Sequence, residues 1–260
     1  MICGVLVDSA SNRAILDTAQ GYLLFDFTTK SFSPFIPALT AENFALNRTT
    51  RTVLAPTYGV GNFTGLQLIG LANNNSIANS SMPLGSFPDS VGIDLSTNIL
   101  VIPDEFTGDQ YLVNMANVSV DSSTRPPGFS APTAVFPINF TDCGGELHDW
   151  SDVSVEGSTH ILFLGTEFAD CSGVETLPNA IVSGAPPTPV IFHWGHVPAA
   201  PDGIAWNNGG GPHGIAVFTS VLNGKPYGFL IRGDQAWIAR VDLSGVRDTQ
   251  TLTTGLFWRS

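Results

Sequence analysis

Charge is scarce in this sequence, and positive charge is scarcer still. Of 260 residues, 12% are charged, and ten Lys and Arg stand against 22 Asp and Glu, a net charge of −12. Lys30 and Lys225 are the only lysines. Nucleic acid must be met by cations that neutralise phosphate, and an anionic membrane surface by the same groups, so neither is expected as a partner. No apolar run approaches the ~18 residues of a membrane span, which excludes insertion by a helix. Helical periodicity of useful length is also missing. Neither G-x-S-x-G nor H-E-x-x-H occurs, so no nucleophile elbow or zinc-protease helix is announced. Cysteine is limited to three residues.

With so few charges, the surface falls to Ser, Thr, Asn and Gly, while 43% hydrophobic residues supply a core. That combination suits a turn-rich β-protein. Met1 leads almost directly into the apolar run Gly4-Val5-Leu6-Val7 with no leader sequence before it. A secreted or cell-surface chain whose leader has been removed is expected. Six N-x-S/T sequons, at Asn47, Asn62, Asn74, Asn79, Asn117 and Asn139, agree with a secreted origin.

What is present in quantity is one repeated unit. In residues 87–117 a turn, Pro88-Asp89-Ser90, precedes the apolar run Val91-Gly92-Ile93. A polar corner, Asp94-Leu95-Ser96-Thr97-Asn98, leads to Ile99-Leu100-Val101-Ile102, and a further turn leads to Tyr111-Leu112-Val113. Short β-rich runs separated by turn residues read as antiparallel strands. Corners of the same kind fall at positions 8, 47, 94, 156 and 218, with spacings of 39, 47, 62 and 62. The first two spacings match a propeller blade of about 40–50 residues. The longer ones imply insertions, around 165–190 and 195–212. The expectation is one all-β domain over residues 1–260, a β-propeller of five four-stranded antiparallel blades, with six blades or an irregular β-sandwich as alternatives.

Pro212-His213-Gly214-Ile215-Ala216-Val217 and Pro88-Asp89-Ser90-Val91-Gly92-Ile93-Asp94 resemble the strand entrances of YVTN/lactonase-like and NHL-type β-propellers. The resemblance is strongest over residues 88–117 and 212–243. It implies a propeller fold that hosts lactonases, lyases, hydrolases and plain binding modules alike. The resembling lyases and lactonases use His and acidic residues from the channel rim.

In a propeller the first strand of each blade lines the central channel, so the residues just ahead of these strands gather at one mouth. Here they are Cys3, Glu42, Asp89, Ser151 with Asp152, and His213. Glu42, Asp89 and His213 form the expected metal set, for a divalent cation such as Ca²⁺ in the channel. The competing expectation is that each side chain caps its own strand. His148 and Asp149, followed by Trp150, Ser151 and Asp152, place an imidazole beside carboxylates, the arrangement acid–base catalysis requires, and with His213 they are the catalytic candidates. Loop capping explains the same cluster. His193 and His196, three apart, point to opposite faces of a strand and read as a strand end. Trp150, Trp194 and Trp206 lie in or near the insertions and are the candidate ligand-binding aromatics. Asn207 to Gly211 reads as a flexible lid beside His213.

Cys143 and Cys171 are centred on Gly157, the expected turn of a hairpin over 153–163. Residues equidistant from a turn face each other, which predicts a disulfide between them with Cys3 left over; three free thiols are the alternative. The function expected is a monomeric binding module for a small molecule, carbohydrate or protein at the channel mouth, the alternative being a lactonase-like hydrolase or lyase with metal assistance.

Overall fold

The computed structural model describes residues 2–39, 41, 43–60, 63–72, 76–81, 87–104, 109–115, 134–137, 150–157, 159–166, 171–176, 190–193, 215–232, 237–244 and 257–259. Among them there is no α-helix. The strands form five antiparallel sheets in strict chain order.

Sheet one holds β1 (Ile2–Asp8), β2 (Arg13–Thr18), β3 (Gly21–Asp26), β4 (Ser31–Phe32) and β5 (Ile36–Pro37), the last two pairing with opposite ends of β3. Sheet two holds β6 (Ala45–Asn47), β7 (Thr52–Val60), β8 (Phe63–Gly70) and β9 (Ser76–Ser81). Sheet three holds β10 (Gly92–Asp94), β11 (Ile99–Pro103), β12 (Asp109–Asn114) and β13 (Ala134–Pro137). Sheet four holds β14 (Trp150–Glu156), β15 (Ile161–Thr166), β16 (Cys171–Thr176) and β17 (Val190–His193). Sheet five holds β18 (Ile215–Thr219), β19 (Pro226–Arg232), β20 (Trp237–Asp242) and β21 (Phe257–Arg259). The stretch 165–190, expected as an insertion, supplies β16 and the first residue of β17, so it completes sheet four.

The chain divides into two compact units, Met1–Ile102 with Tyr111–Ala134, and Pro103–Gln110 with Val135–Ser260. In the first unit, sheet two is buried on both faces, as strand alternation allows. Leu46, Val53, Ala55 and Ile69 pack against Ile15, Tyr22, Leu24, Ile36 and Ala41 of sheet one and its exit. Ala45, Leu54, Leu66, Leu68 and Ala78 pack the other way, against Val91, Leu100, Ile102, Tyr111, Val113 and Met115. In the second unit Ile161, Leu162, Phe163 and Leu164 of β15 are all buried. Phe163 fits where Gly228 of β19 leaves room, and the Val217 amide donates to Ser154 Oγ at 3.1 Å.

Four of the five polar corners, with the β3–β4 turn at Asp26, form one recurring turn; the corner at 218 differs, since Thr219 pairs with Pro226 across six loop residues. Asp8 pairs with Arg13, Asp26 with Ser31, Asn47 with Thr52, Asp94 with Ile99 and Glu156 with Ile161, so each hairpin encloses four loop residues. The fourth of these is always left-handed: Asn12, Lys30, Arg51, Asn98 and His160 have φ between 54° and 61°. In the turns opened by Asp8, Asp26, Asn47 and Asp94 the side chain caps the amides two and three residues on, as Asn47 Oδ1 does for Thr49 and Thr50 at 3.0 and 3.2 Å. The left-handed residue then turns its carbonyl to the next strand, with Phe27, Leu71 and Met115 amides donating to the Asn12, Arg51 and Asn98 oxygens at 2.8–3.0 Å.

This geometry corrects the reasoning behind the disulfide. The hairpin of β14 and β15 closes at Glu156 and Ile161 rather than at Gly157, and the chain reverses after Thr166. Cys171 therefore lies on the third strand, paired with His193, not on an extension of β15. Cys143 lies outside the described residues.

Candidate functional site

The described polar side chains of the first unit fall at two ends of its sheets. At the corner end, Asp8 is 1% exposed yet fully served: the Ala10 amide donates to Oδ1 at 3.2 Å, and Ser11 Oγ and an Arg51 nitrogen donate to Oδ2 at 2.5 and 2.6 Å. Burial pushes its carboxyl up, but the Ser11 hydroxyl, the Arg51 guanidinium and the two amides outweigh it and hold the group below the ordinary value. Asp94 Oδ1 accepts from the amide and hydroxyl of Ser96 and from the Thr97 amide. Asp26 Oδ1 accepts from the Thr28 and Thr29 amides, with Arg13 on Oδ2. These groups are occupied in building turns.

At the other end, where the first strands enter, the buried carboxylate is under-supplied, although an unpartnered buried hydroxyl, that of Thr97, lies at the corner end too. Asp17 sits near the end of β2, directly opposite Tyr22 at the start of β3. Alternation places both on the face that carries Ile15 and Leu24 toward sheet two. A side chain at Gly21 would run into the Ile36 carbonyl, so glycine there lets β5 lie against this corner. The Ala41 amide donates to Asp17 Oδ2 at 3.3 Å, while Oδ1 has no partner. Burial pushes the Asp17 carboxyl up to about 6, against smaller opposing contributions from the Ala41 and Thr18 amides. Tyr22 is 1% exposed and its hydroxyl is unpartnered; burial, with the neighbouring Asp17 charge, pushes its pKa up. Gln67 of β8 accepts from the Leu39 amide at 2.8 Å and donates to Asn79 Oδ1 at 3.0 Å. The exit from sheet one is thus pinned between Asp17 and Gln67. Thr57, two residues beyond Ala55 on β7, has a buried, unpartnered hydroxyl.

Of the residues singled out in the sequence, Asp89 is described with its side chain: it is buried, with Ser90, just ahead of β10. Trp150 opens β14 opposite Thr166, and Ser151 and Asp152 follow it on that strand. Cys3 lies on β1 and His193 at the end of β17. Glu42, His148, Asp149, Trp194, His196, Trp206, His213 and the segment 207–211 lie outside the described residues. Among the described residues no three His, Cys, Asp or Glu side chains group as a metal site. The sequon residue Asn47 is 2% exposed and spends its side-chain oxygen on the turn, so it is a structural residue of the folded chain.

Sequence reasoning missed Asp17, Tyr22, Thr57 and Gln67. One signal was there to be read: Asp17 and Gln67 each interrupt an apolar run, Ala14-Ile15-Leu16 and Leu66 to Ile69, at a position that strand alternation sends into the core.

No family model matches the chain, and no curated protein matches it by sequence. Among solved structures, the streptogramin B lyase structure is similar at 11% identity with a TM-score of 0.58, over 98% of this chain and 67% of that one. Hydrazine synthase from Kuenenia stuttgartiensis is similar at 9% identity with a TM-score of 0.55, over 93% of this chain and 66% of that one. The chain therefore spans about two thirds of each. These neighbours are β-propeller proteins, and at such identities the likeness speaks to fold alone: this chain is all-β, with antiparallel sheets of propeller type.

Proposed function

We propose that this chain is a five-bladed propeller acting as a binding module, one that takes a small polar ligand of the saccharide class at the end of its sheets where the first strands enter. One observation carries the reading. At that end of the first unit, buried side chains keep hydrogen-bonding atoms in reserve, whereas the buried carboxylates of the corner end are committed to turns. Ligand sites need convergent polar groups with unspent capacity in an otherwise apolar frame. Asp89 and Ser90 enter at the same end of sheet three, and Glu42 and His213 precede the first strands of sheets two and five in the sequence. A secreted or cell-surface location and a monomeric state complete the proposal.

The test is calorimetric titration of the whole chain with a panel of neutral and acidic mono- and disaccharides, repeated on the Asp89→Ala, His213→Ala double variant. Binding of at least one sugar, weakened tenfold or more in the double variant, is the expected result. Binding that survives the double substitution, or none across the panel, overturns the reading. The same samples are offered a simple aliphatic lactone; turnover lost with His148→Ala or His213→Ala replaces the binding module by a lactonase-like hydrolase.

A further inference from the structure

Asp17 Oδ1, Tyr22 Oη and Thr57 Oγ1 of the first unit are buried without a hydrogen-bond partner, and strand alternation assigns them to the faces that pack between sheets one and two. Asp17 and Tyr22 are cross-strand partners, 0% and 1% exposed. Thr57 sits on the face of β7 that carries Val53 and Ala55 toward sheet one, and its partner on β8 is Gly65, which has no side chain to cover the hydroxyl. Two strand-bearing layers therefore turn three spare oxygens toward the polar end of one apolar interface.

The charge at this place is not balanced by the protein that is described around it. Asp17 is served by the backbone amides of Ala41 and Thr18. The guanidinium groups on the elements packed here, Arg13 and Arg51, are engaged at the opposite end with Asp26 and Asp8, and Lys30 and Arg48 belong to corner turns. Tyr22 is the other titratable group facing Asp17 whose side chain is described; Glu42 next to Ala41 lies outside the described residues. A buried carboxylate without a counter-charge is costly and resolves by protonation or by pairing.

We propose that Asp17, Tyr22 and Thr57 enclose an internal site for one monovalent cation. A single positive charge neutralises the single carboxylate, and the two hydroxyl oxygens offer lone pairs as neutral ligands. A divalent ion would leave surplus charge and calls for six to eight oxygens, commonly from several carboxylates. The carboxyl raised to about 6 behaves as a group lacking that counter-charge, and a bound cation would bring it down again. The site joins two sheets and holds their connecting segment through Ala41. It draws on the same unspent entrance-end atoms that carry the proposed saccharide reading, and salt-dependent melting tests it separately from saccharide titration.

The experiment is thermal melting of the full chain near neutral pH at equal ionic strength in potassium, sodium and choline chloride, choline being too large to enter. Melting should come about 5 °C higher in potassium or sodium chloride than in choline chloride, the size expected for a ligand well above its Kd. The increment should vanish in Asp17→Asn, whose amide oxygen still accepts from Ala41, and fall by at least half in Thr57→Val. Equal melting in all three salts means that the layer holds only water, and overturns the proposal. An increment unchanged in either variant overturns it too, because the ion would then sit elsewhere.

Discussion

Asp8 and Asp17 sit at opposite ends of the same strand pair, both almost completely buried, and they titrate in opposite directions. Asp8 lies where the chain turns, and within three residues the turn itself delivers an amide and a hydroxyl; Arg51 adds a full charge. Asp17 lies where strands enter, and backbone amides are its described donors, one of them from a segment 24 residues away. Burial alone does not decide what a carboxylate is for. Donor supply does: a saturated carboxylate builds structure, and an under-supplied one retains the capacity to bind.

The largest test of this contrast is Asp8→Ala. It strips the turn of its cap and leaves Arg51 without its partner, so chemical denaturation should register a loss of about 3 kcal/mol. Asp17→Asn removes an uncompensated charge instead, and should raise stability near neutral pH when measured in choline chloride. A loss as large as that of Asp8→Ala would erase the distinction between the two ends.

The pH dependence sharpens it. Asp17 binds its proton more tightly folded, at about 6, than unfolded, at 3.8, so its ionisation opposes folding. Stability should therefore rise as pH falls from 7 to about 4, by on the order of 2–3 kcal/mol in choline chloride. Asp8, Asp26 and Asp242 are held below the ordinary carboxylate value, so what they contribute is present above 3.8 and is lost as pH falls through their lower folded values. Denaturation profiles should peak at mildly acidic pH, and Asp17→Asn should flatten the neutral limb while leaving the acid limb in place.

The smallest effect concerns the turns. Lys30 and His160 hold the left-handed position that Asn12 and Asn98 fill more readily. Lys30→Gly should stabilise by about 0.5–1 kcal/mol, the left-handed penalty less the entropy glycine brings to the unfolded chain. A loss of stability there would mean that the side chain does more than occupy the turn.

Corner turns were legible in the sequence because everything that makes them is local. The Asp or Asn, its amide donors and the left-handed residue lie within five positions, so periodicity and turn chemistry place Val5–Asp8, Phe44–Asn47, Val91–Asp94 and Val153–Glu156 on first strands, and the sheets follow in chain order. The entrance end was not legible in this way. Asp17 meets Ala41 and Gln67 meets Leu39 across 24 and 28 residues, and no spacing rule reports which faces will be packed together. The hairpin argument for pairing Cys143 with Cys171 failed for the same reason: it extended a local hairpin past Thr166, where the chain had already turned back. By itself the sequence determined the β-class, the repeated hairpins and the polar corners, since these rest on contacts a few residues long. Tertiary packing decided that Arg51 reaches Asp8 and that Asp17 is buried with few donors, because those partners come from whatever the neighbouring segments present.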